Sequence, residues 1–311
     1  MKKDRVITGT FITIAYIAVF LLSMYVHPIC FDVFVFLLAV FGVYEMCRAV
    51  SKFASEPIFI IDMIAVVVGF AGFWFAQYFF KKNGAGMTGY FVALAAMIVA
   101  TVVTVALSKK YVKGNAISTI FVMLYPTALL MFAVGINYFI DWNSTGSLVS
   151  SAMAYRNVGI ALMFTVPALT DVFAYQIGSA IKGKKLCPSI SPNKTVSGAV
   201  GGLLGGVVGA GLVLLFSFIA VKCDVNLFGL GNMLTGWWGT TAVNFVMLGL
   251  FGSVFDQIGD LAASFVKRRA GIKDYSNLLP GHGGILDRVD GFMFTGVFFY
   301  LYFAVMMIVV L

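Results

Sequence analysis

Long apolar blocks, recurring nine times along 311 residues, constrain this chain more than any other feature of it. Several reach the roughly 20 residues that cross a hydrocarbon core as a helix. Lipid offers the backbone no hydrogen-bond partners, which favours helices, and a barrel would alternate polar and apolar residues where these blocks do not. Spans are expected at 6–26, 29–47, 57–80, 87–107, 116–140, 158–181, 198–221, 237–258 and 290–311. Charged residues make up only 11% of the chain, against roughly 25% in a soluble domain, too few to solvate a globule of this size. The expected fold class is an all-α integral membrane protein with about nine transmembrane helices.

The first block follows Lys2, Lys3 and Arg5. It exceeds the roughly 7–15 apolar residues of a signal core and no small-residue cleavage site follows it, so it is read as a retained first helix. With the N-terminus in the cytoplasm, all but four of the 21 Lys and Arg residues fall on the inner side; Lys81, Lys82, Arg156 and Lys222 are the four outside. That bias orients the chain with a cytoplasmic N-terminus and an external C-terminus. It also accounts for the net charge of +8 without nucleic acid as a partner. Cys30, Cys47, Cys187 and Cys223 lie far apart and form no CxxC pair, which argues against a zinc site or a disulfide framework. The glycine-rich stretch 198–211 lacks the GxxxxGK[ST] order of a phosphate loop and reads as close helix packing.

Only 13 Asp and Glu residues occur, and five of them, Asp256, Asp260, Asp274, Asp287 and Asp290, gather near the last two spans. Asp256 and Asp260 are four apart and Asp287 and Asp290 three apart, so on a helix each pair shares one face. Like charges so placed repel, and a cation offsets that repulsion. Lys267, Arg268, Arg269, Lys273 and Arg288 stand among them, around the turn Pro280-Gly281-His282-Gly283-Gly284. Carboxylates beside cationic side chains, without a Cys or His ligand set, suit a hard ion such as Mg²⁺ shared with phosphate oxygens. Lys and Arg would hold the phosphates. A charged loop is often only a solvated anchor. Asp171, inside the sixth block, argues for function, because an ionisable side chain at mid-bilayer costs about 2.5–3.5 kcal/mol on insertion scales. For Asp32 and Asp62, near span ends, interfacial placement suffices.

From Ser264, Lys267 and Arg268 through Lys273-Asp274 to Leu279-Pro280-Gly281-His282-Gly283-Gly284 and Asp287-Arg288-Val289-Asp290, residue types and spacings resemble the signature of phosphatidate cytidylyltransferases, the CDP-diacylglycerol synthases. A second stretch is similar to that family's motifs: Asp171, Ala174, Tyr175 and Gly178, then Gly183-Lys184, then Ser191-Pro192-Asn193-Lys194-Thr195. Asn193 stands where Lys is common and Ser179 where Arg is common. Up to about residue 150 the chain matches only as apolar spans.

The resemblance implies transfer of a cytidylyl group from CTP to phosphatidic acid, giving CDP-diacylglycerol and pyrophosphate for phospholipid synthesis. It implies Mg²⁺ as cofactor, with a second monovalent cation such as K⁺ compatible with the site, a bilayer as solvent and a homodimer as assembly. Residues 1–150 would form an N-terminal set of about five spans. Residues 151–311 would form the catalytic region, with cytoplasmic loops at 182–197 and 260–290. Asp260 and Asp287 would be metal ligands, with Asp256 and Asp290 as further candidates and Asp171 lining the same cavity. Ser264, Lys267, Arg268, Lys273 and Arg288 would bind phosphates, with Asp260, Asp287, Asp290, Lys267 and Arg268 carrying the reaction. Ser191, Lys194 and Thr195 would close over substrate. The nucleophile is already an anion near neutral pH, so His282 is expected to shape the turn and donate to phosphate rather than act as a base. The expected home is the cytoplasmic membrane of a bacterium, with the endoplasmic reticulum as the alternative. Three other readings stay open: a CTP-using lipid kinase, an ion or proton transporter using Asp171, Asp256 and Asp260, and a non-catalytic scaffold.

Overall fold

In lipid each helix satisfies its own backbone, so what varies along this chain is how helices end and how closely they approach. The computed structural model describes residues 2–82, 84–139, 151–223 and 238–310. Among these, nine helical segments are long and apolar enough to cross a membrane. The chain is a multi-pass, nearly all-α membrane protein. The expected span ends at 140, 237 and 311, and most of the 141–157 loop, lie outside the described residues.

The chain divides into two compact units, Met1–Tyr138 with Phe265–Val289, and Phe139–Ser264 with Asp290–Leu311. The first unit contains α1 (Lys2–Tyr25), α2 (Ile29–Val50), α3 (Phe59–Phe80) and α4 (Ala85–Leu107). Its fifth span is broken. Helix α5 (Lys113–Val122) passes through a π-helical stretch, Met123–Ala128, into α6 (Leu129–Asn137). Pro126 sits in that stretch and brings no N–H to the helical ladder. Hydropathy gives one continuous span at 116–140 and does not register the break. Helices α3 and α4 cross closely through Gly72 and Gly89, where a Cβ would strike the facing backbone. The buried side chains include Phe31, Val35, Phe70, Phe73 and Tyr90.

Asp32 and Asp62 do fall in the first turns of α2 and α3, but they do not face headgroups. Both are buried in protein. Asp32 accepts hydrogen bonds from Trp74 Nε1 (2.9 Å), Asn137 Nδ2 (2.8 Å) and the Tyr138 hydroxyl (2.7 Å). Enough donors offset the desolvation of a buried carboxylate, and no hydropathy plot shows those donors.

The second unit is organised by glycine. It contains α7 (Ser151–Ile181), a hairpin of β1 (Lys185–Cys187) and β2 (Ser191–Thr195), α8 (Val196–Lys222), most of α9 (Trp238–Arg269) and most of α10 (Leu286–Val310). Gly201, Gly205 and Gly209, four apart on α8, abut the backbone of α7 at Phe173, Leu169 and Thr165. Gly206 meets the backbone of α9 at Gly249. A Cβ at any of these would collide, so the glycine-rich stretch serves helix packing, as read from the sequence.

Two differences from the sequence reading matter for the site. The 182–197 segment folds into an antiparallel hairpin, with Lys185 opposite Thr195 and Cys187 opposite Ser191. It carries no alternation to announce it, and Pro192 is tolerated because the ribbon has free edges. Helix α9 continues to Arg269, where hydropathy suggests an end near 258. Ala262, Ala263, Lys267 and Arg268 are good helix formers. Gly271, at φ +65°, then ends the helix, with Gly271 N–H donating to Arg268 O and Ile272 N–H to Lys267 O.

Candidate active site

In the second unit, the i, i+4 spacing of Asp256 and Asp260 on α9 puts both carboxylates on one face. Asp256 is buried, and its Oδ2 has no hydrogen-bond partner. It feels the like charges of Asp171 on α7, Asp290 on α10 and Asp260, and the opposite charge of Lys194. Gly291 makes room for it, since a Cβ there would overlap Asp256 Oδ1. Lys194, on β2, forms an ion pair with Asp260 Oδ2. Ser264 donates to Asp260 Oδ1 at 3.3 Å.

A cavity of about 390 Å³ opens beside this cluster, lined by Asp171, Tyr175, Asn193, Lys194 and Gln257 among others. Thr195 also lines it, but its hydroxyl is committed to the N-terminus of α8, accepting from Gly198 N–H at 3.0 Å. Replacing Thr195 would therefore loosen α8 as well as alter the cavity. Ser191 is half-buried at the start of β2. Gln257, a neutral residue that no sequence motif marks, donates to Ala199 O (3.2 Å) and Ser253 Oγ (3.3 Å) and ties α9 to α8.

In the first unit, Asp287 is the centre of the 271–287 segment. Lys267 Nζ donates to its Oδ1 at 2.6 Å. Its Oδ2 accepts from the N–H groups of Tyr275 (2.8 Å) and Gly284 (2.9 Å). Three hydrogen bonds use most of the roughly four lone-pair directions of a carboxylate. Lys267 also lies 5.5 Å from the centre of the Tyr275 ring, a cation–π contact. The turn itself closes by Leu279 N–H to Gly283 O and His282 N–H to Leu279 O, each 2.9 Å. Gly283, at φ +83°, packs against Asp287 and Asp274, where a side chain would be both strained and obstructed.

His282 is half-buried, its ring packed beside Gly9 of α1, and its Nδ1 is enclosed without a hydrogen-bond partner. Arg268, Lys273 and Arg288 are exposed. Glu45, on α2, lies outside every motif of the sequence. It is buried and bonded to Ser276, Ile285 and Leu286. Its sequence signal is that Glu45 is an ionisable residue inside a span, the same property that marks Asp171.

Comparison with known proteins bears on both clusters. A model described as the Cytidylyltransferase family matches residues 3–306. A phosphatidate cytidylyltransferase of Bacillus subtilis (strain 168) is 28% identical over 304 residues, 97% of this chain and 97% of that protein. One from Brucella abortus biovar 1 (strain 9-941) is 43% identical over 146 residues, 47% of each chain. One from Staphylococcus haemolyticus (strain JCSC1435) is 38% identical over 136 residues, 44% of this chain and 45% of its own. The chain thus matches about half the length of the Brucella and Staphylococcus relatives and almost all of the Bacillus one. With a family model running through nearly every span, this chain belongs to the cytidylyltransferase family.

Proposed function

We propose that this chain transfers the cytidylyl group of CTP to phosphatidic acid, forming CDP-diacylglycerol and releasing pyrophosphate. The observation that carries the reading is a buried carboxylate cluster beside a lysine-lined cavity, in a chain similar to a phosphatidate cytidylyltransferase along 97% of its length. A phosphate oxygen of phosphatidate attacks the α-phosphorus of CTP in line. The new P–O bond forms as the bond to the bridging oxygen of pyrophosphate breaks. The nucleophile is an anion near neutral pH, so no side chain needs to act as a strong base.

The residues suit a hard divalent cation. Asp256 Oδ2 is buried without a partner, and three neighbouring carboxylates are opposed by Lys194. Among the described residues no three His, Cys, Asp or Glu side chains form a ready-made cage. Substrate phosphates and water would complete the shell, as is usual for Mg²⁺. Asp256, Asp260 and Asp290 would hold the ion, and when bound it would offset charge on the transferring phosphoryl group. Asp287, a metal ligand by resemblance, is proposed instead to hold the 275–284 turn, since its oxygens are taken up by Lys267 and two backbone N–H groups. Lys194 would meet polyphosphate oxygens in its cavity, and the exposed Arg268, Lys273 and Arg288 would bind phosphate.

The distribution of Lys and Arg supports a cytoplasmic N-terminus. The bacterial sources of the relatives support the cytoplasmic membrane of a bacterium. A homodimer and a monovalent co-ion remain expectations of the family resemblance.

The test is purified protein in detergent with radiolabelled CTP, phosphatidate and Mg²⁺. Cytidine-labelled lipid together with released pyrophosphate is the expected result. Lipid that gains only a phosphate would move the assignment to a CTP-dependent lipid kinase. A folded preparation that labels no lipid would overturn the reading.

A further inference from the structure

We infer that Glu45 is a positioning residue: reaching from α2, its carboxylate holds the start of α10, and with it the turn-holding Asp287 and the phosphate-binding Arg288, in the arrangement that cytidylyl transfer requires. This rests on the function proposed above.

The start of α10 lacks a cap of its own. A helix leaves its first N–H groups without intrahelical partners, and a Ser, Thr, Asp or Asn just before it commonly satisfies one. Here the residues before Leu286 are Gly284 and Ile285, which offer no side-chain acceptor. Glu45 takes that place from 240 residues away. Its Oε1 accepts from Ile285 N–H at 2.9 Å and its Oε2 from Leu286 N–H at 2.8 Å. The Ser276 hydroxyl donates to Oε1 at 2.5 Å. The next N–H back, that of Gly284, goes to Asp287 Oδ2. Three successive backbone N–H groups are therefore divided between two carboxylates, one from the turn and one from α2.

The fit is close. Glu45 is 1% exposed, and a Cβ on Gly284 would run into its carboxylate. An anion at a helix N-terminus also meets the positive end of the helix dipole. A second tie from the same part of the chain joins Thr8 Oγ1 on α1 to Pro280 O, at 3.1 Å. The N-terminal spans thus do more than anchor the chain, since one of them fixes the backbone on which Asp287 is mounted.

Glu45→Gln keeps the size of the side chain but sets an N–H₂ against a backbone N–H. It should lower kcat by about 10- to 100-fold, the rate equivalent of losing one or two charge-assisted hydrogen bonds. KM for CTP and for phosphatidate should change by less than about threefold, because the loss falls on geometry rather than on uniform binding. Ser276→Ala should lower kcat in the same direction by less. The double variant should be no worse than Glu45→Gln alone, because both act through one network.

A folded Glu45→Gln protein that melts earlier but keeps wild-type kcat would overturn the inference, leaving Glu45 a structural residue only. If Glu45→Gln does not fold, an unchanged kcat in Ser276→Ala has the same consequence. If the wild-type protein transfers no cytidylyl group, the function falls first. Amide exchange then decides the clamp itself: protection at residues 285 and 286 lost in Glu45→Gln supports it, and unchanged exchange removes it.

Discussion

Lys267, on the last turn of α9, reaches Asp287, on the first turn of α10 and twenty positions along the chain, at 2.6 Å. The pair is largely enclosed, with side-chain exposures of 12% and 3%. Removing one partner of such a pair strands the other, which typically costs about 3–5 kcal/mol.

Asp287→Asn should therefore act on both stability and rate. Asn retains one acceptor but turns a donor toward the N–H of Tyr275 or Gly284, or toward Lys267. Turnover is expected to fall by about 10²-fold, because the turn that carries the phosphate-binding Lys273 and Arg288 at its two ends loses its position. Label transfer from CTP to lipid measures the rate, and thermal unfolding in detergent measures the fold. Label transfer at wild-type rate would show that the turn does not need its carboxylate.

Asp256 supplies a prediction in which stability and activity move in opposite directions. Its carboxylate is buried among like charges with one oxygen unpartnered, an arrangement that destabilises the metal-free protein. In chelator, Asp256→Asn should unfold at a higher temperature than wild type, by the equivalent of about 1–3 kcal/mol. With Mg²⁺ and substrates it should be nearly inactive. A variant that is both less stable in chelator and fully active would refute the metal role.

Metal removal should abolish turnover. Polyphosphate approaching Asp171, Asp256, Asp260 and Asp290 meets like charge, which Lys194 does not balance alone. Dialysis against chelator should leave no labelled lipid, and added Mg²⁺ should restore it. Activity that survives thorough chelation would remove the ion from the reaction.

Gly205 tests the packing of the second unit. It abuts the backbone of α7 at Leu169 and the side chain of Phe173. Gly205→Val should destabilise by about 1–3 kcal/mol or more, because no flexible side chain can yield to a facing carbonyl. Gly211, whose Cβ would meet open space, is the control, and Gly211→Ala should be neutral. Unfolding midpoints in detergent compare the two.

Native cysteines test orientation. With a cytoplasmic N-terminus, exposed Cys223 at the end of α8 faces outward, and Cys187 on the hairpin faces the cytoplasm. A membrane-impermeant thiol reagent applied to intact cells should label a variant keeping only Cys223. It should leave one keeping only Cys187 until the membrane is opened. The reverse pattern would invert the topology.

Hydropathy along the chain is enough for the membrane class and for the nine spans found among the described residues, because the cost of placing polar backbone and charge in lipid falls on each residue and leaves long apolar blocks. The sequence also marked Asp256, Asp260, Lys267 and Asp287, since spacing on one helix and a long run of fixed polar positions are local properties of the chain. The tertiary structure alone decided what each polar group is bonded to. It enclosed Asp32 among Trp74, Asn137 and Tyr138, set Lys194 against Asp260, and committed Asp287 Oδ1 to Lys267 and Oδ2 to two backbone N–H groups. It brought Glu45 to the start of α10, a partner 240 residues distant that no local pattern could indicate. Hydrogen bonds act over about 3 Å of space, and only folding determines which distant residues come within that reach.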